Sequence, residues 1–202
     1  MRIESGKVLV QIGTNDGKDE FNKLCRKAKP SKVILVEPFA ECNPSILKKY
    51  KQIQNVCIEN VAITEVEKET VTLVLPRNRG GITTQFSILP MDDWGDDLLE
   101  RQVPAMTFGQ LCEKHQISHI HYLQIDTEGF DAEIIRTIDF NSITIDILKY
   151  EKWNFSTDAF QRHGEKGKTY GIAGMTYVSN LLKGLGYTLS DEGSDMVASK
   201  LL

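Results

Sequence analysis

Four acidic side chains and one glycine loop carry the groups in this 202-residue sequence that could do chemistry. The loop is Gly13-Thr14-Asn15-Asp16-Gly17, and the acids are Glu37, Asp126 with Glu128, and Glu151. Glycine takes positive φ and lets backbone come close to a bound group. A carboxylate and a carboxamide beside those glycines suit a cationic, amino-acid-bearing ligand better than a dianionic pyrophosphate. An acid such as Glu37, 37 − 13 = 24 residues after the first glycine, is placed to accept hydrogen bonds from ribose hydroxyls in a nucleoside-binding fold. Clustered carboxylates raise one another's pKa, which poises one of them as a base near neutral pH.

The elements that must position these groups are written in the hydropathy. Val8, Leu9, Val10 and Ile12 form an almost unbroken apolar run, as in a strand covered on both faces. After the loop, Phe21, Leu24, Cys25 and Ala28 make one helical stripe, which Pro30 ends. Val33 to Val36 is a second buried strand, closed by Glu37-Pro38. This βαβ unit sets the loop and Glu37 at neighbouring strand ends. The loop lacks the third glycine of the dinucleotide fingerprint, which disfavours a dehydrogenase. S-adenosyl-L-methionine, a ribosyl sulfonium bearing an ammonium group, fits the loop's chemistry. An ordinary turn using Asn and Gly at positive φ is the plain alternative.

The alternation continues along the chain. Asn43 before Pro44 reads as an N-cap with Pro at the first helical position, and Ile46, Leu47, Tyr50 and Ile53 read as that helix's buried stripe. Val56 to Ile58 is a third strand running into Asn60, Val61 and Ala62, where a nucleoside fold places groups near the base. Val71 to Leu75 is an extra strand, expected to pair in a hairpin with the residues before it. Thr107 caps a helix carrying Phe108, Leu111 and Cys112. Ile120 to Ile125 is a fourth strand, ended by Asp126-Thr127-Glu128-Gly129. A helix through Ala132, Ile134, Ile135 and Ile138 follows, then a fifth strand from Ile143 to Tyr150 that ends at Glu151. Tyr177, Val178, Leu181 and Leu182 mark a last helix. Two short strands, around Tyr187 to Leu189 and Met196 to Ala198, form a terminal hairpin that brings an antiparallel strand into an otherwise parallel sheet. The reactive groups thus gather at carboxyl ends of strands, where open α/β sheets bind ligands.

Composition sets limits. With 41% hydrophobic and 26% charged residues, the chain reads as one globular domain over residues 1–202. A formal charge of −4 argues against general nucleic-acid binding. No apolar run approaches the roughly 18 residues of a membrane span, and Met1 to Gly6 is not a secretory leader, so the cytoplasm is the expected address. Cys25, Cys42, Cys57 and Cys112 lie far apart without a C-x-x-C pair. They read as reduced core residues, and no metal centre is expected from them.

Between about Val8 and Glu151 the sequence resembles the FkbM family of S-adenosylmethionine-dependent class I methyltransferases. The resemblance rests on the Gly13 to Gly17 loop, Val36-Glu37-Pro38, Val103-Pro104 followed by Thr107-Phe108, and above all Ile125-Asp126-Thr127-Glu128-Gly129. It implies a Rossmann-like α/β fold, with a mostly parallel seven-stranded sheet, a reversed C-terminal strand and helices on both faces. It also implies site roles. Gly13, Asn15 and Gly17, with Gln11, Thr14 and Asp16 among them, would hold the methionine part of the cofactor. Glu37, with Pro38 and Phe39, would hold the ribose, and Asn60, Val61 and Ala62 would neighbour the adenine. Asp126, Glu128 and Glu151 would face the transferred methyl and the substrate, Asp126 also touching the cofactor. The chain departs from the family's usual Asp at Gln11, its Asp at Gly109 and its Glu at Asp131.

Methyl transfer from a sulfonium is an in-line displacement, so the acceptor atom must be held about 3 Å from the methyl carbon. A hydroxyl also needs its proton shared with a base. Asp126 or Glu128 is the expected base; alternatively, the carboxylates hold a divalent cation that lowers the acceptor's pKa. For Asp126 read alone the plain alternative is an N-cap before Ala132, and for Glu151 read alone a solvated strand end. Two aperiodic segments, Arg77 to Asp97 and Trp153 to Gly174, are expected on the acceptor side. In the second, Trp153, Phe155, Phe160, His163 and Tyr170 either meet sugar hydroxyls or anchor a surface flap. The expected function is O-methylation of a hydroxyl on a sugar, glycan precursor or secondary metabolite, with a small-molecule or glycan acceptor. The competing readings are an N- or protein methyltransferase and a non-catalytic nucleoside-binding module.

Overall fold

A computed structural model describes residues 6–79, 86–88, 96–152 and 172–200. In chain order the elements are β1 (Val8–Ile12), α1 (Glu20–Ala28), β2 (Lys32–Val36), α2 (Asn43–Tyr50), β3 (Val56–Glu59), β4 (Ala62–Thr64), β5 (Thr70–Pro76) and β6 (Leu98–Thr107). There follow α3 (Phe108–His115), β7 (His119–Ile120), β8 (Tyr122–Ile125), α4 (Asp131–Thr137), β9 (Thr144–Ile145), β10 (Ile147–Glu151), α5 (Ile172–Gly184), β11 (Thr188–Glu192) and β12 (Asp195–Ser199).

Seven strands make the main sheet in the order β11-β12-β10-β8-β1-β2-β3. The neighbours from β10 to β3 pair in parallel, and β12 runs antiparallel between β10 and β11. The unbroken apolar runs have a direct reason. Val10 and Ile12 join Ile34 and Val36 in one core cluster, while Leu9 joins Val33 and Leu35 in another, so β1 and β2 are buried on both faces. Phe21 and Cys25 of α1, with Ile46 and Tyr50 of α2, pack into the second cluster. The first takes Phe108 and Leu111 of α3, Ile134 and Ile135 of α4, and Val178 and Leu182 of α5. Each such side chain withdrawn from water contributes about 1.5–3 kcal/mol. Asp19 caps α1 by accepting the Asn22 N–H (3.0 Å), and Thr107 with Gln110 forms a capping box on α3.

Several sequence expectations need correction. The strand at Val71 to Leu75 pairs not with the residues before it but antiparallel with β6, from Thr70 opposite Pro104 to Pro76 opposite Leu98. Asn43 is the first residue of α2 rather than its cap; its carboxamide is committed to Asn60, exchanging bonds of 2.8 and 3.0 Å. Leu47 is 59% exposed, so it does not belong to the buried stripe, and Ile53 lies beyond the end of α2. The fourth and fifth strands are each broken, and their leading pieces, β7 and β9, form a parallel ribbon of their own. Trp153 to Gly171, His163 included, lie outside the described residues, as do 80–85 and 89–95. No helix among the described residues is long and apolar enough to cross a membrane.

Candidate active site

Strand pairing builds the site. β1 and β8 run parallel with Ile12 beside Ile125, so the residues that follow, Gly13 and Asp126, meet. The Asp126 N–H donates to the Ile12 carbonyl (3.0 Å). A Cβ on Gly13 would stand 1.7 Å from the Asp126 carbonyl oxygen, and Gly13 has φ +84°; glycine is therefore required twice over. The N–H groups of Gly13 and Thr14 both donate to the Val36 carbonyl (3.0 and 3.1 Å), and that of Gly17 to Thr14 (3.0 Å). These bonds stitch the loop to the end of β2.

Glu37 sits at that end, 4% exposed. Its Oε2 accepts the Asn15 N–H (2.6 Å) and its Oε1 the Phe39 N–H (3.0 Å). Burial pushes its pKa up, and these two N–H groups pull it back. Each oxygen keeps a further lone pair for a ligand. Behind it, Asn60 donates to the Glu37 carbonyl (2.8 Å).

The strand ends open on a cleft of about 200 Å³. Among the residues singled out from sequence, Gly13, Asn15, Glu37, Pro38, Phe39, Val61, Ala62, Asp126 and Glu128 line it. Gln11, Thr14, Asp16, Gly17, Asn60 and Glu151 are not in its wall. Gly17 packs toward α2, where an added Cβ would meet the Tyr50 ring at 3.2 Å. The Asp16 carboxylate accepts the Lys18 N–H (2.9 Å), and its carbonyl accepts from Ser45 (3.0 Å). Gln11 donates its amide to the Asp19 carboxylate. Gln11 Oε1 and Thr14 Oγ1 are buried without a hydrogen-bond partner among the described residues.

Asp131 organises the acidic side. It is 1% exposed; its Oδ2 accepts from the Thr127 N–H (3.1 Å) and hydroxyl (2.6 Å), and its Oδ1 from the Glu151 N–H (3.1 Å). One carboxylate thus ties the ends of β8 and β10 together. Asp126 still meets water at the cleft mouth, but surrounding protein, then Asp131 and Glu128, push its pKa up to about 7. Burial, then Asp131 and Asp126, push Glu151 up to about 9. Glu128 holds a left-handed backbone, φ 56°, and its carbonyl accepts from the Ser87 hydroxyl (2.9 Å).

Sequence reasoning missed the apolar wall. Leu73, Phe86 and Ile88 line the cleft, whereas the sequence places residues 86–88 with their segment on the acceptor side. Ser87 and Val74 exchange backbone bonds (2.8 and 3.1 Å). Phe86 meets Phe39 edge-on at 4.9 Å, and the Arg101 guanidinium, paired with Glu41, lies 4.1 Å over Phe39. The available signal was the apolar alternation of Phe86 and Ile88 around Ser87, too short to read as an element.

The sequence matches the profile of the methyltransferase FkbM domain over residues 11–187. Among solved structures, an FkbM methyltransferase from Methylobacillus flagellatus superposes with a TM-score of 0.54 at 11% identity, over 98% of this chain and 44% of that one. This chain therefore spans less than half of that protein. A Streptococcus mutans protein solved in complex with SAH gives 0.52 at 10% identity, over 99% and 92% of the two chains. An rRNA methylase from Streptococcus thermophilus gives 0.52 at 11%, over 99% and 90%. At such identities the likeness is one of fold. No curated protein matches the sequence.

Proposed function

Because the chain belongs to the FkbM methyltransferase family, with S-adenosyl-L-methionine as its cofactor, we propose that it methylates a hydroxyl oxygen of a sugar, glycan precursor or secondary metabolite. The observation that carries this reading is that the carboxylates of Asp126 and Glu128 share one cleft wall with Gly13, Asn15 and Glu37, with surrounding protein and neighbouring acids pushing Asp126 up to about 7. A hydroxyl needs such a base; a neutral amine does not.

The cofactor brings an electrophilic methyl group on a positively charged sulfur. The glycine loop, through Gly13 and Asn15 in the cleft wall, would hold the amino-acid end. Glu37 would take the ribose hydroxyls on its remaining lone pairs, and Val61 and Ala62 would flank the base. Asp126 would receive the acceptor's proton on its carboxylate. Glu151, pushed up to about 9, stays protonated at neutral pH and would donate a hydrogen bond near the acceptor. An acidic wall and a net charge of −4 repel a phosphate backbone, which disfavours a nucleic-acid acceptor. The same acids would attract an ammonium, so an amine acceptor is the second reading.

The test is transfer from methyl-labelled cofactor to panels of sugars and polyols, amines and peptides, and RNA. Label in a methoxy group supports the proposal; label confined to amines or RNA overturns it. Asp126→Asn should lower the rate by about 10²–10⁴-fold while binding of the neutral thioether S-adenosylhomocysteine persists. The wild-type rate should rise as pH passes through about 7. Cofactor binding with no transfer to any panel would favour the nucleoside-binding module.

A further inference from the structure

Away from the cleft, two histidines and an aspartate converge. His119 is on β7, His121 lies between β7 and β8, and Asp146 lies between β9 and β10. One ligand atom from each lies within 4.8 Å of the others. His119 Nε2 stands 2.8 Å from Asp146 Oδ1, and the two imidazoles stack with centroids 4.1 Å apart. The fold dictates this meeting. Residues two apart on an extended chain share a face, which brings His119 and His121 together. The β7–β9 pairing sets Ile120 beside Ile145, and the next residue, Asp146, donates its N–H to the Ile120 carbonyl (3.0 Å).

We propose that His119, His121 and Asp146 form a binding site for a divalent first-row transition ion of the zinc type. Two imidazoles and one carboxylate are a donor set for zinc and its neighbours rather than for magnesium or calcium. Tetrahedral bonds of about 2.0–2.1 Å put ligand atoms roughly 3.3 Å apart, a contraction within reach of side-chain rotation. The His119 side chain is 45% exposed against 11% for Asp146, which leaves an entry path on one side. The role is structural. The His121 N–H donates to the Val8 carbonyl (2.9 Å) at the start of β1, whereas Gly13 follows its end. Five residues at about 3.3 Å each separate this site from the cleft by roughly 17 Å. An ion here would clamp the β7–β9 ribbon to the start of β1, whatever the methyl acceptor.

Binding carries a signature. The Val8 N–H donates to His121 Nδ1 (3.1 Å). An ion on Nδ1 displaces that bond. An ion on Nε2 takes the place of the proton there, and the ring's proton then sits on Nδ1, facing Val8. In both cases the Val8 amide changes partner.

The experiment is zinc titration of the full chain by calorimetry, with amide NMR and thermal melts. The expected result is one zinc per chain, a shift of the Val8 amide, and a higher melting temperature. His119→Gln, at an exposed position, should melt like wild type without zinc and bind it more than about tenfold more weakly; Asp146→Asn should weaken zinc binding likewise. No saturable binding overturns the proposal. So does binding that survives both substitutions, which would assign the zinc to a thiol such as the half-buried Cys57 or to an adventitious site.

Discussion

Glu37 is the side chain on which cofactor affinity should turn. Both of its oxygens hold backbone N–H groups in a buried setting, so Glu37→Gln places an amide donor against one of them. A hydrogen bond to a charged group contributes about 1.5–3 kcal/mol. The expected loss of S-adenosylmethionine affinity is therefore about tenfold or more, read by calorimetry; unchanged affinity would remove the ribose assignment. Glu37 was legible because the glycine loop and an acid at the next strand end are local features at fixed spacing. Asp131 was not. In the sequence it appears only as a departure beside the Asp126-Thr127-Glu128-Gly129 run, whereas its bonds to Thr127 and Glu151 depend on β8 and β10 lying side by side.

At the scale of elements, Asp131 acts as a tie between two strand ends, and its replacement should be felt in stability before chemistry. Asp131→Asn keeps the shape but turns one acceptor into a donor facing an N–H, so one of the bonds to Thr127 or Glu151 is lost inside the protein. Leaving a buried donor unsatisfied costs about 1–3 kcal/mol, and a chain of this size loses roughly 2–4 °C of melting temperature per kcal/mol. A melt within one degree of wild type would show that the tie carries no weight. The same scale explains what the sequence hid. β1 and β2 are buried on both faces, so their hydropathy is unmistakable. β6 alternates weakly, carries exposed Glu100 and Gln102, and contains Pro104. It also finds β5 only across the intervening segment, so neither periodicity nor proximity betrays it. Leu47 failed for a related reason: helical spacing marks a stripe, but only the neighbouring elements decide how wide a stripe is covered.

For the whole molecule, the acids at the ends of β8 and β10 set how stability depends on pH. Asp126 rises from 3.8 to about 7 and Glu151 from 4.5 to about 9. Both are carboxyl groups with folded pKa above unfolded, so the folded chain binds more protons between these values. Their contribution is complete below about pH 4 and lost as pH climbs through 7 and then 9. Exposed acids held low, Glu41 by Arg101 and Asp191 by Lys152, act in the opposite sense and only at lower pH. The melting temperature of the ligand-free chain should therefore fall from pH 5 to pH 9, and Glu151→Gln should flatten the upper part of that fall. A bound ligand at 100 times its Kd adds about 2.7 kcal/mol, and a cationic one gains as the acids ionise. S-adenosylmethionine carries a sulfonium where S-adenosylhomocysteine has a neutral thioether. The ratio of their affinities should thus rise with pH through about 7, as Asp126 takes its charge beside the cofactor loop. A ratio independent of pH would place the sulfonium away from Asp126, and with it the reacting centre away from the acids.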